Sequence, residues 1–153
     1  MHVKYMPRSK VILLTLALLT LVAASILILD RLAIARITVE GENELTIPIV
    51  CESRLKILFN NSVTGSPVEL SFKLCDVIRG EYIKTDEATI EYYSSGVLDV
   101  KSEFRSYESR SLKFCSMLGF KIVVENLLFR LEREYRGVCI ELEAEKILDM
   151  ISD

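Results

Sequence analysis

The segment from Asn61 to Glu69 holds the side chains best suited to recognising a ligand. It joins two predicted strands through small hydroxyl residues and a proline, and it ends on a carboxylate. Hydroxyl, amide and backbone donors on a turn can contact a solute or a partner loop, and the carboxylate adds a fixed charge. The candidate binding residues in this segment are Asn61, Ser62, Ser66, Pro67 and Glu69. A turn that the same side chains close without any ligand is the alternative interpretation.

Residues that usually perform hydrolysis are scarce in this chain. His2 is its only histidine and precedes a long apolar stretch, so the rest of the chain lacks the usual general base and imidazole ligand. The sequence contains no GxSxG, SxxK, HExxH or glycine-rich phosphate motif. We therefore predict a protein that is not an enzyme and needs no cofactor. A hydrolase that relies on carboxylates alone, such as Glu69 or Asp99, is an alternative.

Closely spaced carboxylates occur at two places in the last third of the chain. They are Glu132 and Glu134, and then Glu141, Glu143 and Glu145. Both sets have the spacing of a strand and alternate with apolar residues, which is typical of solvated side chains on an outward face. An acid–base pair or a calcium site is the alternative. We predict no metal site.

Nineteen consecutive residues without a charge, Val11 to Leu29, form the longest apolar stretch. As a helix rising ~1.5 Å per residue they span ~28 Å, close to the ~30 Å hydrocarbon core of a bilayer. Lysines and arginines precede the stretch, which places the N-terminus in the cytoplasm. A cleaved signal peptide is the alternative, since Ala33-Ile34-Ala35 has the small-x-small form of a cleavage site. For this cell-membrane protein we predict a cytoplasmic N-terminus (1–10), a single transmembrane helix (11–29), a linker (30–35) and an extracytoplasmic β domain (36–153).

The predicted β domain is acidic. Residues 36–153 contain 15 lysines and arginines against 21 aspartates and glutamates, a net charge of −6. Nucleic acids and anionic lipid surfaces both require a basic patch on their partners. The charge therefore argues against nucleic acid as a partner, and contact with the membrane is expected through the integral anchor alone.

All four cysteines, Cys51, Cys75, Cys115 and Cys139, lie after the apolar stretch. An even number in an oxidising compartment indicates up to two disulfides, which four cysteines can form in three connectivities. Buried free thiols and a metal or redox site are the alternatives. From the faces on which the cysteines lie, a pair between Cys75 and Cys139 is the expectation.

Period-two alternation of apolar and polar residues dominates the chain after residue 36 and predicts half-buried strands. Strands are expected at Arg54–Phe59 and Val68–Leu74 as a hairpin, at Glu81–Tyr93 as one or two strands, and at 120–125, 127–134 and 138–143. Residues 94–111 are read as one long polar loop with some local order, and Ala144–Ile151 as a short terminal helix. The expected fold is mainly β: six to eight antiparallel strands in a sandwich or a partly open barrel.

The segment after Leu58 resembles a motif of a small family of membrane-anchored proteins encoded beside TRAP-type solute transporters of the TAXI subclass. The family pattern reads aromatic-x-His-Ser-Val-x-x-Thr-Pro-Val-x-Glu, and Ser-Phe-Gly follows later. The chain matches this pattern at Ser62, Val63, Pro67 and Val68, with Ser66 in place of threonine and Glu69 beside the acidic position. It departs at the histidine, which is Asn61, and at the aromatic residue before Gly96, which is Ser95.

The resemblance implies an accessory role in solute uptake, with a transporter permease or a solute-binding protein as partner, and it adds Ser95 and Gly96 to the binding surface. We therefore expect a non-catalytic binding or docking protein held on the membrane. A structural or assembly protein of the cell surface is the alternative. Replacing Asn61 or Glu69 by alanine is expected to disturb binding while changing the free energy of unfolding by less than about 1 kcal/mol, as at exposed sites.

Overall fold

The computed structural model describes residues 8–40, 42–94, 99–126 and 128–152. Within these ranges there are four helices and ten strands. The helices are α1 (Arg8–Leu29), α2 (Glu87–Ser94), α3 (Val100–Ser106) and α4 (Ile147–Ser152). The strands are β1 (Leu32–Val39), β2 (Glu42–Val50), β3 (Ser53–Asn60), β4 (Pro67–Leu74), β5 (Ile78–Lys84), β6 (Glu108–Ser109), β7 (Ser111–Ser116), β8 (Phe120–Glu125), β9 (Arg130–Tyr135) and β10 (Val138–Lys146).

Helix α1 is long and apolar enough, over Ser9–Leu29, to cross a membrane. None of the side chains in its most apolar window is buried against the rest of the protein. The hydroxyls of Thr15, Thr20 and Ser25 each donate to a backbone carbonyl three or four residues earlier. Their polar groups are therefore satisfied within the helix, as an apolar environment requires.

The strands form two antiparallel sheets. Sheet A has the order β2-β1-β10-β7, and sheet B has the order β6-β5-β4-β3-β8-β9. Inward-facing residues of both sheets belong to one apolar core, so the fold is a sandwich and the mainly β prediction is confirmed.

The core follows from the alternation seen in the sequence. Leu55 and Ile57 of β3 face inward with Phe72 of β4, while Arg54 and Lys56 take the outer face. Burying one such side chain contributes roughly 1.5–3 kcal/mol. The hairpin expected from β3 and β4 is present, with Leu55 opposite Phe72 and Ile57 opposite Leu70.

Strand β1 begins at Leu32, with two residues between it and the end of α1, and Ala33 and Ala35 are fully buried. Residues 32–35, expected in a linker, therefore belong to the sandwich. The end of the sandwich that contains Leu32 and the C-terminal end of β10 is called the helix end, and the opposite end the distal end. Because β1 has eight residues at ~3.4 Å each, the two ends lie about 27 Å apart.

The four cysteines form two disulfides, Cys51–Cys75 and Cys115–Cys139. The first joins the residues that follow β2 and β4, and so ties sheet A to sheet B at the helix end. The second joins β7 and β10 of sheet A, where the two cysteines lie directly opposite each other. The expected pair of Cys75 with Cys139 is wrong, because these cysteines lie in different sheets and near opposite ends of the sandwich.

The expectation for residues 81–111 is confirmed for strand residues 81–84 and is wrong beyond them. Strand β5 ends at Lys84, and two helices, α2 and α3, follow before β6. Each begins at an aspartate that accepts a backbone N–H three residues later: Asp86 from Thr89 and Asp99 from Ser102. Such N-caps stabilise helix starts by about 1 kcal/mol. The predicted terminal helix is present as α4, although it starts three residues later than expected.

Candidate functional site

Asn61 is a buried residue that organises its own loop. Its side-chain oxygen accepts from the backbone N–H groups of Val63 (2.7 Å) and Thr64 (2.9 Å). Its amide nitrogen donates to the hydroxyl of Tyr93 at 2.9 Å, and only 4% of the residue is exposed. The expectation that Asn61 is exposed is therefore wrong, and its role in binding stays a prediction. Its side-chain oxygen closes the turn, in the manner of an Asx-turn, and its amide nitrogen joins the loop to α2.

The loop after Asn61 is braced against helix α2. The hydroxyls of Thr64 and Thr89 lie 2.8 Å apart, and Ser66 donates to the carboxylate of Asp86, which also caps α2. The hydrogen bond from Ser66, followed by those from Thr89, lowers the pKa of Asp86. These contacts give Thr64 and Ser66 a structural role in joining the loop to α2.

The remaining predicted site residues are spread over different surroundings. Ser62 is exposed in the loop, and Pro67 begins β4. Glu69 lies two residues into β4, on the outer face of sheet B, where Tyr82 donates to it at 2.8 Å and Lys56 lies 3.5 Å away. Ser95 and Gly96 lie outside the described residues.

Glu69 belongs to a line of five residues that crosses the outer face of sheet B. Inter-strand register places Lys84 of β5 opposite Glu69, Glu69 opposite Leu58, Leu58 opposite Lys121, and Lys121 opposite Glu134. We call these residues the Leu58 row. Four charged side chains thus flank one apolar side chain in the middle of the sheet.

A cleft of about 640 Å³ lies over the Leu58 row at the distal end of the sandwich. Residues outside the row also line the cleft, and we call them its rim. They include Pro67, Asp86, Leu118 and Arg136. We call it the distal cleft. Its volume lies within the range of small-ligand sites, ~300–1,000 Å³.

Gly119 sets the shape of the rim in the turn between β7 and β8. Its φ is +97°, a region that favours glycine. A Cβ atom here would lie 2.8 Å from Cγ of Arg136 and 2.9 Å from the carbonyl oxygen of Tyr135. The missing side chain therefore allows Arg136 to lie across the turn at the edge of the cleft.

A β-bulge in β5 brings two consecutive polar residues to the outer face near the cleft. Glu81 is the extra residue, since Ser71 lies opposite Tyr82 and Phe72 opposite Gly80. Glu81 accepts from Ser71 at 2.8 Å and from Arg54 at 3.0 Å. Burial opposes the ionisation of Glu81, but these hydrogen bonds outweigh it and lower its pKa.

Tyr135 closes the cleft on the β9 side. It is buried, and its ring stacks on that of Phe120 with centroids 5.4 Å apart. Burial, with a contribution from the carboxylate of Glu44, raises the pKa of Tyr135 to about 12. The phenol therefore stays neutral at physiological pH.

The closely spaced carboxylates face outward, as expected. Glu132 and Glu134 are exposed and lie near Lys121, while Glu141 and Glu143 are exposed on sheet A. Among the described residues, no group of three or more histidines, cysteines, aspartates or glutamates is arranged to hold a metal ion.

Sequence reasoning missed most of the cleft. Leu58, Lys84, Lys121 and Arg136 come from four separate elements, and no local pattern connects them. Among the predicted site residues that the structure describes, Pro67 and Glu69 line the distal cleft.

Comparisons with protein-family models, with curated proteins and with solved structures find no match to this chain. The resemblance of the segment around Asn61 therefore stays a prediction.

Proposed function

We propose that this chain is a single-pass membrane protein that carries its β domain outside the cytoplasm and docks a partner protein in the distal cleft. Helix α1 supports the anchor, and two disulfides are typical of an oxidising compartment. The proposal places residues 1–10 in the cytoplasm of a cell-membrane protein.

The observation that carries the docking role is the position of the cleft. It lies at the end of the sandwich opposite α1, about 27 Å from the residue where β1 begins, as eight strand residues require. A site at this height can reach the extracytoplasmic part of another membrane protein or a protein that approaches from solution.

The sandwich is joined closely to the anchor. Only Asp30 and Arg31 separate α1 from β1, and the backbone N–H of Cys51 donates to the carbonyl of Arg31 at 2.7 Å. The short connection holds the cleft at a set distance from the bilayer. This suits a docking module better than a long, flexible tether would.

The partner class in this proposal is a transporter permease or a solute-binding protein, which the motif resemblance implies. The rival role, assembly of a cell-surface structure, would require contacts between copies of this chain. Met117 and Leu118, which are 86% and 61% exposed beside the cleft, are apolar enough to take part in either kind of contact.

A photoreactive amino acid at position 118 tests the proposal in cells that make the full chain. The matched control carries the same group at position 141, on the outer face of sheet A. We expect position 118 alone to cross-link a permease or a solute-binding protein, identified by mass spectrometry. Cross-links to a second copy of this chain would instead support the assembly role, and equal labelling from both positions would refute a docking cleft.

A further inference from the structure

The charges that line the distal cleft are not equally available to a partner. Each carboxylate is already engaged: Glu69 by Tyr82 and Lys56, Asp86 by Ser66 and the N-terminus of α2, and Glu134 by Lys121 at 3.3 Å. Each carboxylate of the cleft therefore already has a hydrogen-bond or ion-pair partner within the chain.

Two cations of the cleft are free of such contacts. Lys84 and Arg136 line the cleft and form no ion pair with any residue in the part of the chain that the structure describes. They are placed at opposite sides of the cleft, Lys84 at the end of β5 and Arg136 after β9. The six charged side chains that line the cleft have no net charge, and among them Lys84 and Arg136 are the two that have neither an ion pair nor a side-chain hydrogen bond to any described residue.

The middle of the cleft is apolar. Leu58 lies at the centre of the Leu58 row, with Pro67 and Leu118 on the rim. Four inter-strand spacings separate β5 from β9, which at ~4.8 Å each amount to about 19 Å. An extended chain rises ~3.3 Å per residue and directs alternate side chains to the same face. Residues one, three and five of such a chain therefore face the cleft over about 13 Å, and the long side chains of Lys84 and Arg136 span the remaining ~6 Å between the outer strands.

From this arrangement we propose that the distal cleft binds an extended segment of the partner with the pattern acidic-x-apolar-x-acidic. The apolar side chain contacts Leu58, and the two carboxylates pair with Lys84 and Arg136 on either side. The inference depends on the docking role proposed above, and it defines the chemistry of the docked segment. Charge complementarity of this kind favours selection among partners as well as affinity.

The test uses the full chain in nanodiscs of zwitterionic lipid, with its leucine methyl groups labelled for NMR. The probe is a capped five-residue peptide with glutamate at both ends, leucine in the middle and serine between them. The control peptide carries glutamine in place of glutamate. We expect the acidic peptide to shift the signals of Leu58 and Leu118, and to bind roughly tenfold or more tightly than the glutamine peptide.

Substitutions in the chain test whether Lys84 and Arg136 bind the acidic peptide. The double substitution Lys84→Glu and Arg136→Glu should abolish binding, whereas the control double substitution Lys101→Glu and Arg105→Glu, an equal change of charge on exposed α3, should leave it intact. Thermal unfolding of each variant checks that the fold is retained. Equal binding of the two peptides, or equal loss in the cleft double variant and the α3 double variant, would overturn the inference.

The two proposals fail in different ways. If position 118 cross-links a partner and the acidic peptide does not compete with it, the docking role holds and the acidic segment is wrong. If the acidic peptide binds and position 118 cross-links no transporter component, the charge inference holds and the docking role is wrong.

Discussion

Lys146 at the end of β10 lies 2.9 Å from Asp30, the residue that follows α1, so the last strand of the sandwich is joined to the base of the anchor. The two residues are 116 positions apart in the chain. The hydrogen bond from Lys146 lowers the pKa of Asp30, and the same bond raises the pKa of Lys146. The start of the β domain and the end of its last strand therefore meet beside the C-terminal end of α1.

Helix α1 should stay on the mature protein. Its 21-residue span from Ser9 to Leu29, which includes the nineteen uncharged residues from Val11 to Leu29, favours insertion far more than a peripheral contact would. Protein isolated from membranes is expected to resist carbonate extraction and to begin near Met1. A mature N-terminus at Arg36 would show that the segment is cleaved, and it would also remove buried Ala33 and Ala35 of β1.

Replacing Asn61 by alanine should lower the free energy of unfolding substantially, in contrast to the small effect expected from the sequence. The change removes one donor and two accepted hydrogen bonds from a buried site, which corresponds to a loss of about 2–3 kcal/mol. Exposed Ser62→Ala is the matched control and should change the free energy of unfolding by less than about 0.5 kcal/mol. Chemical denaturation of both full-length variants in detergent measures the difference. Equal stabilities would contradict this structural role of Asn61.

Gly119→Ala should destabilise the protein and also disturb the cleft. The alanine would combine a left-handed backbone with a clash against Arg136 and the carbonyl of Tyr135, at a cost of about 1–3 kcal/mol. Gly137→Ala is the control, because Gly137 also has a positive φ and its Cβ would meet open space. We expect the Gly119 variant to unfold at the lower denaturant concentration and to be the one that changes the NMR signals of Leu118. Identical behaviour would mean that Arg136 is not positioned by this contact.

Glu81 should make part of the stability depend on pH. Its pKa is lowered in the folded state by Ser71 and Arg54, so its contribution is present above the unfolded value of about 4.3 and is lost as the pH falls through the folded value. The difference in unfolding free energy between the native chain and Glu81→Gln should therefore be largest near pH 7 and should shrink towards pH 3. Glu143→Gln, exposed on sheet A, is the control. If the difference in unfolding free energy between the native chain and Glu81→Gln does not change with pH, the hydrogen bonds of Glu81 are not a source of pH-dependent stability.

The two disulfides should be found as Cys51–Cys75 and Cys115–Cys139. Each closes a stretch of 24 residues, for which loop-closure entropy corresponds to about 3 kcal/mol. Peptide mapping of unreduced protein is expected to recover these two links and no free thiol. A link between Cys75 and Cys139 would require a different pairing of the sheets.

Local patterns in the sequence were enough to predict the long apolar helix, the β class and the faces of β3 and β4. A bilayer span depends on an uninterrupted apolar length, and a half-buried strand depends on alternation at a period of two, as at Leu55, Lys56 and Ile57. Both properties belong to neighbouring residues, so no knowledge of distant contacts is required.

The same local reasoning failed at α2. Ala88, Ile90 and Tyr92 alternate as in a strand, but Asp86 caps a helix start and Thr89 is buried against the loop that follows β3. The competition between strand and helix was therefore decided by contacts with a segment about 25 residues earlier.

The disulfides and the distal cleft depended entirely on tertiary structure. Cys115 meets Cys139, and Glu69, Leu58 and Lys121 form one row, because hydrogen bonds between strands set the register of each pair. A shift of one residue in any of these pairings would turn the side chains to the opposite face. The sequence by itself determined which side chains alternate along each strand, and only the packing of the two sheets decided which strands became neighbours and which of their charges stayed free.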